Sequence, residues 1–332
     1  MHGRIERARI VSRLLRGNVL ADPHERDLLV YLPSAYDGTR RFPTVMVLPG
    51  FASTNHSLLN FDPFQPTLCE RFDRLIDAGA CPPALLVLPD AINRWGGSQY
   101  LDSPASGRYQ SYLADEVVPF VDAHFKTIPR REGRAVVGKS SGGFGALRLG
   151  LDRPEVFCAV GSHAGDCAFD VSMVPELRAA AIRLSRGSNL ETFAREFPPA
   201  SGLGSGDFDT VMMLACAAAY SPDMTQPFPH VRLPINVRAG ELVSDVWQQW
   251  LAHDPCSLVH NNPNAMSTLR LVFLDAGDRD EHGLQLGARR LADALRGRSI
   301  PLQHEEFSGG HRNTGHRYET SLPALIHVLD RA

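Results

Sequence analysis

Ser140 stands in the run GRAVVGKSSGG, Gly133 to Gly143, whose residue types and spacing suit two unrelated chemistries. Read from Gly133, G-x-x-x-x-G-K-S is the pattern of a loop that cradles phosphate, with its serine hydroxyl on magnesium. Read from Gly138, G-x-S-x-G is the sharp strand-to-helix turn that exposes a nucleophilic serine. The choice depends on which residues are strand. A phosphate loop needs a strand ending before the first glycine and flexible backbone after it. Here KTIPRRE precedes Gly133 and makes a poor strand, whereas Arg134, Ala135, Val136 and Val137 read as strand where the loop should be. LVFLD, ending at Asp275, has the form of a magnesium-holding strand, but it does not supply the missing loop. The serine turn fits in order: strand to Val137, Gly138, Ser140 at the turn, helix from about Ser141. Gly138, Gly142 and Gly143 let that helix crowd the strand. Ser141 has Lys139 where the pattern wants its first glycine, so Ser140 is the stronger nucleophile. The N–H of Ser141, following the nucleophile, is placed to donate to an oxyanion.

A serine hydroxyl is a poor nucleophile until a base takes its proton. The turn therefore predicts an acid and then a histidine further along, each after a strand. LRLVFLDAGDRDEHG leaves a strand and enters a loop with Asp278, Asp280 and Glu281. LQHEEFSGGHRNTGH leaves the next strand and reaches His311 behind Gly309 and Gly310, with His316 as the alternative. His304 falls in the strand and His327 in the last helix. Spacing alone leaves Asp278 and Asp280 both open as the acid, and Asp275, at the strand's end, reads as structural. A second oxyanion donor should come from the loop LPGFAST, where Gly50 frees the backbone and the Phe51 N–H is the candidate. Two further loops should face the same edge. DAINRWGGSQY offers Trp95, Gln99 and Tyr100 to an acyl or alcohol pocket, and SHAGD offers His163 and Asp166. Lys139 reads as a structural neighbour of the nucleophile.

These residues need a scaffold. Short apolar runs bounded by turn residues recur at 26–33, 42–50, 84–91, 134–140, 156–163, 269–277 and 302–309 and read as strands. Helical patterns lie at 112–125, 143–151, 283–296 and 320–330. Strands alternating with helices predict a mostly parallel α/β sheet flanked by helices. Ligand sites in such sheets lie at the carboxyl ends of the strands, where all three groups would sit. From Asp166 to Ser267 the alternation stops, and MVPELRAAAIRL, LETFAREF, TVMMLACAAAY and DVWQQWLAHD read as helices between Pro/Gly-rich joints. The expected organisation is a core of residues 1–165 and 268–332 with a helical cap, or lid, at 166–267.

The chain has 332 residues, 43% hydrophobic and 21% charged, with a formal net charge of -3. That balance gives no pull towards nucleic acid or an anionic membrane. MHGRIERARIVSRLL lacks the apolar stretch and cleavage site of a secretion signal. No run approaches the roughly 18 apolar residues of a membrane span. The six cysteines form no C-x-x-C pair and read as buried thiols. A cytoplasmic protein is expected, and a homo-oligomer is compatible with this reading.

At these motifs the chain resembles the esterase-D-like, or "putative esterase", group of α/β-hydrolases. ERDLLVYLPSAYDGTRRFPTVMVLPGF is similar to the group's first strands and oxyanion loop. GGSQYLDSPASGRYQSYLADEVVPFVD is similar to its loop and helix before the nucleophile. VVGKSSGGFGAL, GDRDEHG and EEFSGGH resemble its nucleophile turn, acid loop and histidine loop, implying Ser140, Asp280 and His311. The nearest subgroup is enterochelin-esterase-like. The resemblance implies an α/β-hydrolase fold and a serine carboxylesterase that uses neither metal nor cofactor. The expected substrate is a small or medium ester. An acyltransferase with the same triad, or a siderophore-ester or thioester hydrolase, is the alternative.

Overall fold

The computed structural model describes residues 1–60, 64–186, 189–262 and 264–330. Eight strands form one sheet: β1 (Arg4–Val11), β2 (Glu25–Leu32), β3 (Thr44–Leu48), β4 (Leu85–Pro89), β5 (Arg134–Lys139), β6 (Ala159–His163), β7 (Leu271–Gly277) and β8 (Leu302–Phe307). Their order across the sheet is β1-β2-β4-β3-β5-β6-β7-β8. β2 pairs antiparallel with both β1 and β4, and the six strands from β4 to β8 run parallel. β1 is the strand that the apolar runs did not announce. Its RIERARIV alternates charge with apolar side chains because it lies at the sheet's edge and stays largely exposed.

The central strands are apolar throughout because helices cover both faces. Side chains alternate across the sheet with a period of two. Val45 and Val47 therefore pack with Phe72 of α1 (Leu68–Asp77) and Leu322 of the C-terminal helix. Met46 and Leu48 pack on the other face with Val121 of α2 (Val118–His124) and Leu147 of α3 (Ser141–Asp152). Full burial of one such aliphatic side chain contributes about 1.5–3 kcal/mol. The helical stretch before β5 begins at Tyr109 and carries a π-helical turn at Tyr112–Val117.

Between β6 and β7 lie α4 (Phe169–Leu184), α5 (Leu190–Glu196), α6 (Asp207–Tyr220), α7 (Ser244–Leu251) and α8 (Pro255–Asn261). Most of this segment has a core of its own: Phe169, Met173 and Leu177 of α4 pack with Leu214 and Tyr220 of α6 and with Trp250 of α7. Phe144 of α3 and Trp95 join that cluster from the sheet domain. The last part behaves differently. Val259 of α8 and the following Ala265, Met266 and Leu269 pack into the main core, so the chain rejoins it before Ser267. α9 (Leu284–Arg296) and α10 (Tyr318–His327) complete the flanks. Among the described residues no helix is long and apolar enough to cross a membrane.

Candidate active site

Residues 134–139, which a phosphate loop would need as loop, are β5, paired on both edges. The chain turns at Ser140, with φ 56° and ψ −125°, and α3 starts at the next residue. A non-glycine residue at such a φ is strained and persists only where its surroundings hold it. They do so here. The Ser140 N–H donates to the His163 carbonyl at 2.9 Å, and the Ser140 carbonyl accepts from the Phe144 N–H at 2.9 Å. Close backbone approach fixes the rest. A Cβ on Gly138 would lie 2.3 Å from the Gly142 oxygen, and one on Gly142 would lie 2.1 Å from the Leu48 oxygen. Both obstacles are backbone, so Gly142→Ala is expected to destabilise the fold by about 3 kcal/mol or more. Urea unfolding measures it; an unchanged midpoint would contradict the packing described.

Asp280 and His311 meet between the loops after β7 and β8. Nδ1 of His311 lies 2.8 Å from Oδ2 of Asp280, whose side chain has no solvent exposure. Oδ1 of Asp280 accepts the His282 N–H at 3.0 Å. Burial pulls this carboxyl upward, but the bond and charge of His311 and the N–H groups of His282 and Leu284 outweigh it. The net shift is below the usual carboxylate range. The other candidates do different jobs. Asp278 accepts the Gly309 N–H at 2.9 Å, and Glu281 accepts the His311 N–H at 2.6 Å, so both tie down the histidine loop. His316 is exposed, with Nδ1 3.3 Å from the Asn313 carbonyl. Nδ1 of His327 faces the carbonyl of Pro323.

Ser140 and His311 line one cleft of about 510 Å³. Gly50 and Phe51 line it too, where the loop after β3 passes over the nucleophile turn. A Cβ on Gly50 would be 3.5 Å from the Ser140 Cβ. Among the described residues neither the Phe51 N–H nor the Ser141 N–H has an acceptor, so both are free to donate to a bound oxygen.

The family model described as "Putative esterase" matches residues 21–327. The chain belongs to this esterase family. A curated relative, Esterase Rv1288 of Mycobacterium tuberculosis, is 28% identical over 141 residues. That match spans 41% of this chain and 28% of the relative. An endo-1,4-beta-xylanase/feruloyl esterase of Xylanibacter ruminicola is 26% identical over 133 residues, 39% of this chain and 18% of that protein. The matches thus cover under a third of these relatives' own length. Among solved structures, an S-formylglutathione hydrolase from Agrobacterium tumefaciens superposes with TM-score 0.62 at 17% identity, covering 99% of this chain and 96% of that one. A ferulic acid esterase gives 0.60 at 18%, covering 98% and 97%. These likenesses show the α/β-hydrolase fold.

Of the five residues expected in the pocket of this esterase-family chain, only Asp166 lines the cleft. Trp95, Gln99 and Tyr100 are buried instead, in a loop where Gln99 and Tyr100 both take positive φ. The Tyr100 hydroxyl donates to the Pro49 carbonyl at 2.5 Å and so supports the Phe51 loop from beneath. Gln99 accepts from the Tyr220 hydroxyl at 3.5 Å, and Trp95 packs against Phe228 in the insertion. His163 is 2% exposed and sits in a buried network, 2.7 Å from Asp275 and 2.8 Å from the Ser321 hydroxyl. Arg317 donates to the other Asp275 oxygen at 2.7 Å. Removing one member of such a buried pair costs about 3–5 kcal/mol. Asp275→Ala is therefore expected to lower thermal stability strongly; an unaltered melting temperature would contradict this.

The cleft also holds residues that the motifs did not single out. His282 packs edge-on to His311, with centroids 4.9 Å apart, and its Nδ1 lies 2.8 Å from Glu176. Glu176 and Ser172 come from α4, and Phe208, Asp209 and Met212 from α6. His282 was within reach, two residues past Asp280 in GDRDEHG. The others depend on how the insertion helices are rotated, for which their sequence holds no motif.

Proposed function

We propose that this chain is a serine carboxylic ester hydrolase acting through an acyl-enzyme on a small or medium ester. One observation carries the reading: the buried Asp280–His311 pair and a serine at a positive-φ strand-to-helix turn line the same cleft. The ionised Asp280 accepts the proton on Nδ1 of His311, which leaves the Nε2 lone pair free to act as base. His311 takes the Ser140 proton as Oγ attacks the ester carbonyl. The oxyanion is held by the N–H groups of Phe51 and Ser141, each worth about 3 kcal/mol of barrier. His311 then returns the proton to the departing alcohol. Water, deprotonated by the same nitrogen, releases the acid and frees Ser140. The esterase and hydrolase names of the relatives agree with this chemistry.

A panel of p-nitrophenyl esters of graded acyl length tests the activity. Release of p-nitrophenol that peaks at short or medium chains supports the reading. No release at any length would overturn it. Added alcohols distinguish hydrolysis from transfer: a new ester at the expense of free acid would make the chain an acyltransferase.

A further inference from the structure

We infer that the cleft wall formed by Asp166, Ser172, Glu176 and Asp209 is a subsite for an organic cation, so that the ester cleaved at Ser140 carries a protonated amino or guanidino group. The inference rests on the ester-hydrolase reading and names the substrate class for that same cleft. Three acids from three elements line it: Asp166 from the loop after β6, Glu176 from α4 and Asp209 from α6. Asp166 has no hydrogen-bond or ion-pair partner among the described residues. Burial pushes its carboxyl up to about 6, with Glu176 and Asp280 adding to the effect against His311 and His282. Burial and the adjoining Glu176 likewise raise Asp209. Carboxylates so placed repel unless a proton or a cation lies between them.

Ser172 is a second, independent sign. It lies one helical turn before Glu176 and lines the cleft, is 4% exposed, and its hydroxyl has no partner among the described residues. A buried hydroxyl is rarely left so. Together these side chains are rich in acceptors and poor in donors. An ammonium brings three donors and a guanidinium five, and neither accepts. A metal ion fits less well. Among the described residues the one group of three or more acidic, histidine or cysteine side chains with ligand atoms within 4.8 Å of one another is His2, Asp73 and Asp77, none of which lines the cleft. The cationic residues of the cleft offset only part of the wall: His282 takes up Glu176, whereas among the described residues Asp166 has no ion pair with Lys139, His282, His311 or Arg312. Burial lowers Lys139 against the pull of Asp280 and Glu281, while His282 pairs with Glu176 at 2.8 Å and is raised by Glu176 first and then by Asp280 and Asp166. Phe51, Met173, Phe208 and Met212 line the same space and offer an apolar sleeve for an alkyl arm.

The experiment compares kcat/KM for the p-nitrophenyl ester of an ω-amino acid with that of the fatty acid of equal chain length. In parallel, butylguanidinium is titrated calorimetrically into Ser140→Ala, which reads the subsite without turnover and whichever arm of the ester bears the charge. The expected result is about a tenfold preference for the cationic ester or saturable butylguanidinium binding, weakened by added salt. Glu176→Gln and Asp209→Asn, checked for folding by circular dichroism, should each remove most of it. Equal kcat/KM with no butylguanidinium binding overturns the subsite and leaves ester hydrolysis standing. Absence of any ester cleavage overturns the hydrolase reading, and the calorimetry then decides the cation site alone.

Discussion

Ser140→Ala is expected to lower kcat for a p-nitrophenyl ester by about six orders of magnitude, to the residual rate that oxyanion donors and binding supply alone. The size of the effect follows from the role. No other cleft hydroxyl sits where the backbone strain places Ser140. Ser53 belongs to the loop after β3, and Ser172 is enclosed by α4. Without Oγ there is no acyl-enzyme, and His311 could only direct water. Folding should tolerate the change, since the hydrogen bonds that fix the turn use the Ser140 backbone. Loss of activity with native circular dichroism is the expected pair of results. A variant retaining more than about a thousandth of the wild-type rate would move the nucleophile elsewhere.

The second large effect separates two acids two residues apart. Asp280→Asn is expected to reduce kcat by about 10⁴, while Asp278→Asn should change it by less than about tenfold. An amide at 280 nearly preserves the shape but can present an N–H to Nδ1, favouring the tautomer whose Nε2 carries the proton and cannot act as base. Asp278 is half-exposed and its described partners are the Gly309 N–H and the exposed Arg279, so its loss loosens the histidine loop without altering the imidazole. Rates for both variants, taken well above the carboxylate range where Asp280 is ionised, decide between them. The reverse ranking would transfer the acid to Asp278.

Much of this arrangement was readable because it is local. Strand, glycine, serine and helix follow one another within GRAVVGKSSGG, and the turn's geometry is dictated by glycines whose absent side chains make room for backbone. The order Ser, Asp, His survives folding because parallel strands bring their carboxyl ends to one edge, so three distant loops converge without any long-range signal. Spacing left Asp278 and Asp280 both open, since both lie within three residues of a strand end; the family resemblance favoured Asp280, and it is the Asp280 carboxylate that lies 2.8 Å from His311. β1 escaped notice because an exposed edge strand alternates rather than running apolar. α1 was missed although Thr67 and Glu70 form a capping box, because it is short and flanked by prolines. Trp95, Gln99 and Tyr100 were expected in the pocket because their loop follows a strand that ends at the same edge; they are buried, with positive φ at Gln99 and Tyr100, and nothing in GGSQY announces that. Glu176 and Asp209 reach the cleft through the docking of α4 on α6, a tertiary event.

Everything proposed for the cleft turns on covalent acylation of Ser140. The most direct measurement is to treat the folded protein with a fluorophosphonate, digest it and locate the adduct by mass spectrometry. One stoichiometric phosphonylated peptide is expected, carrying the modification at Ser140 and suppressed by prior incubation with a cleaved ester. No adduct, or an adduct on another residue with Ser140 intact, would contradict it.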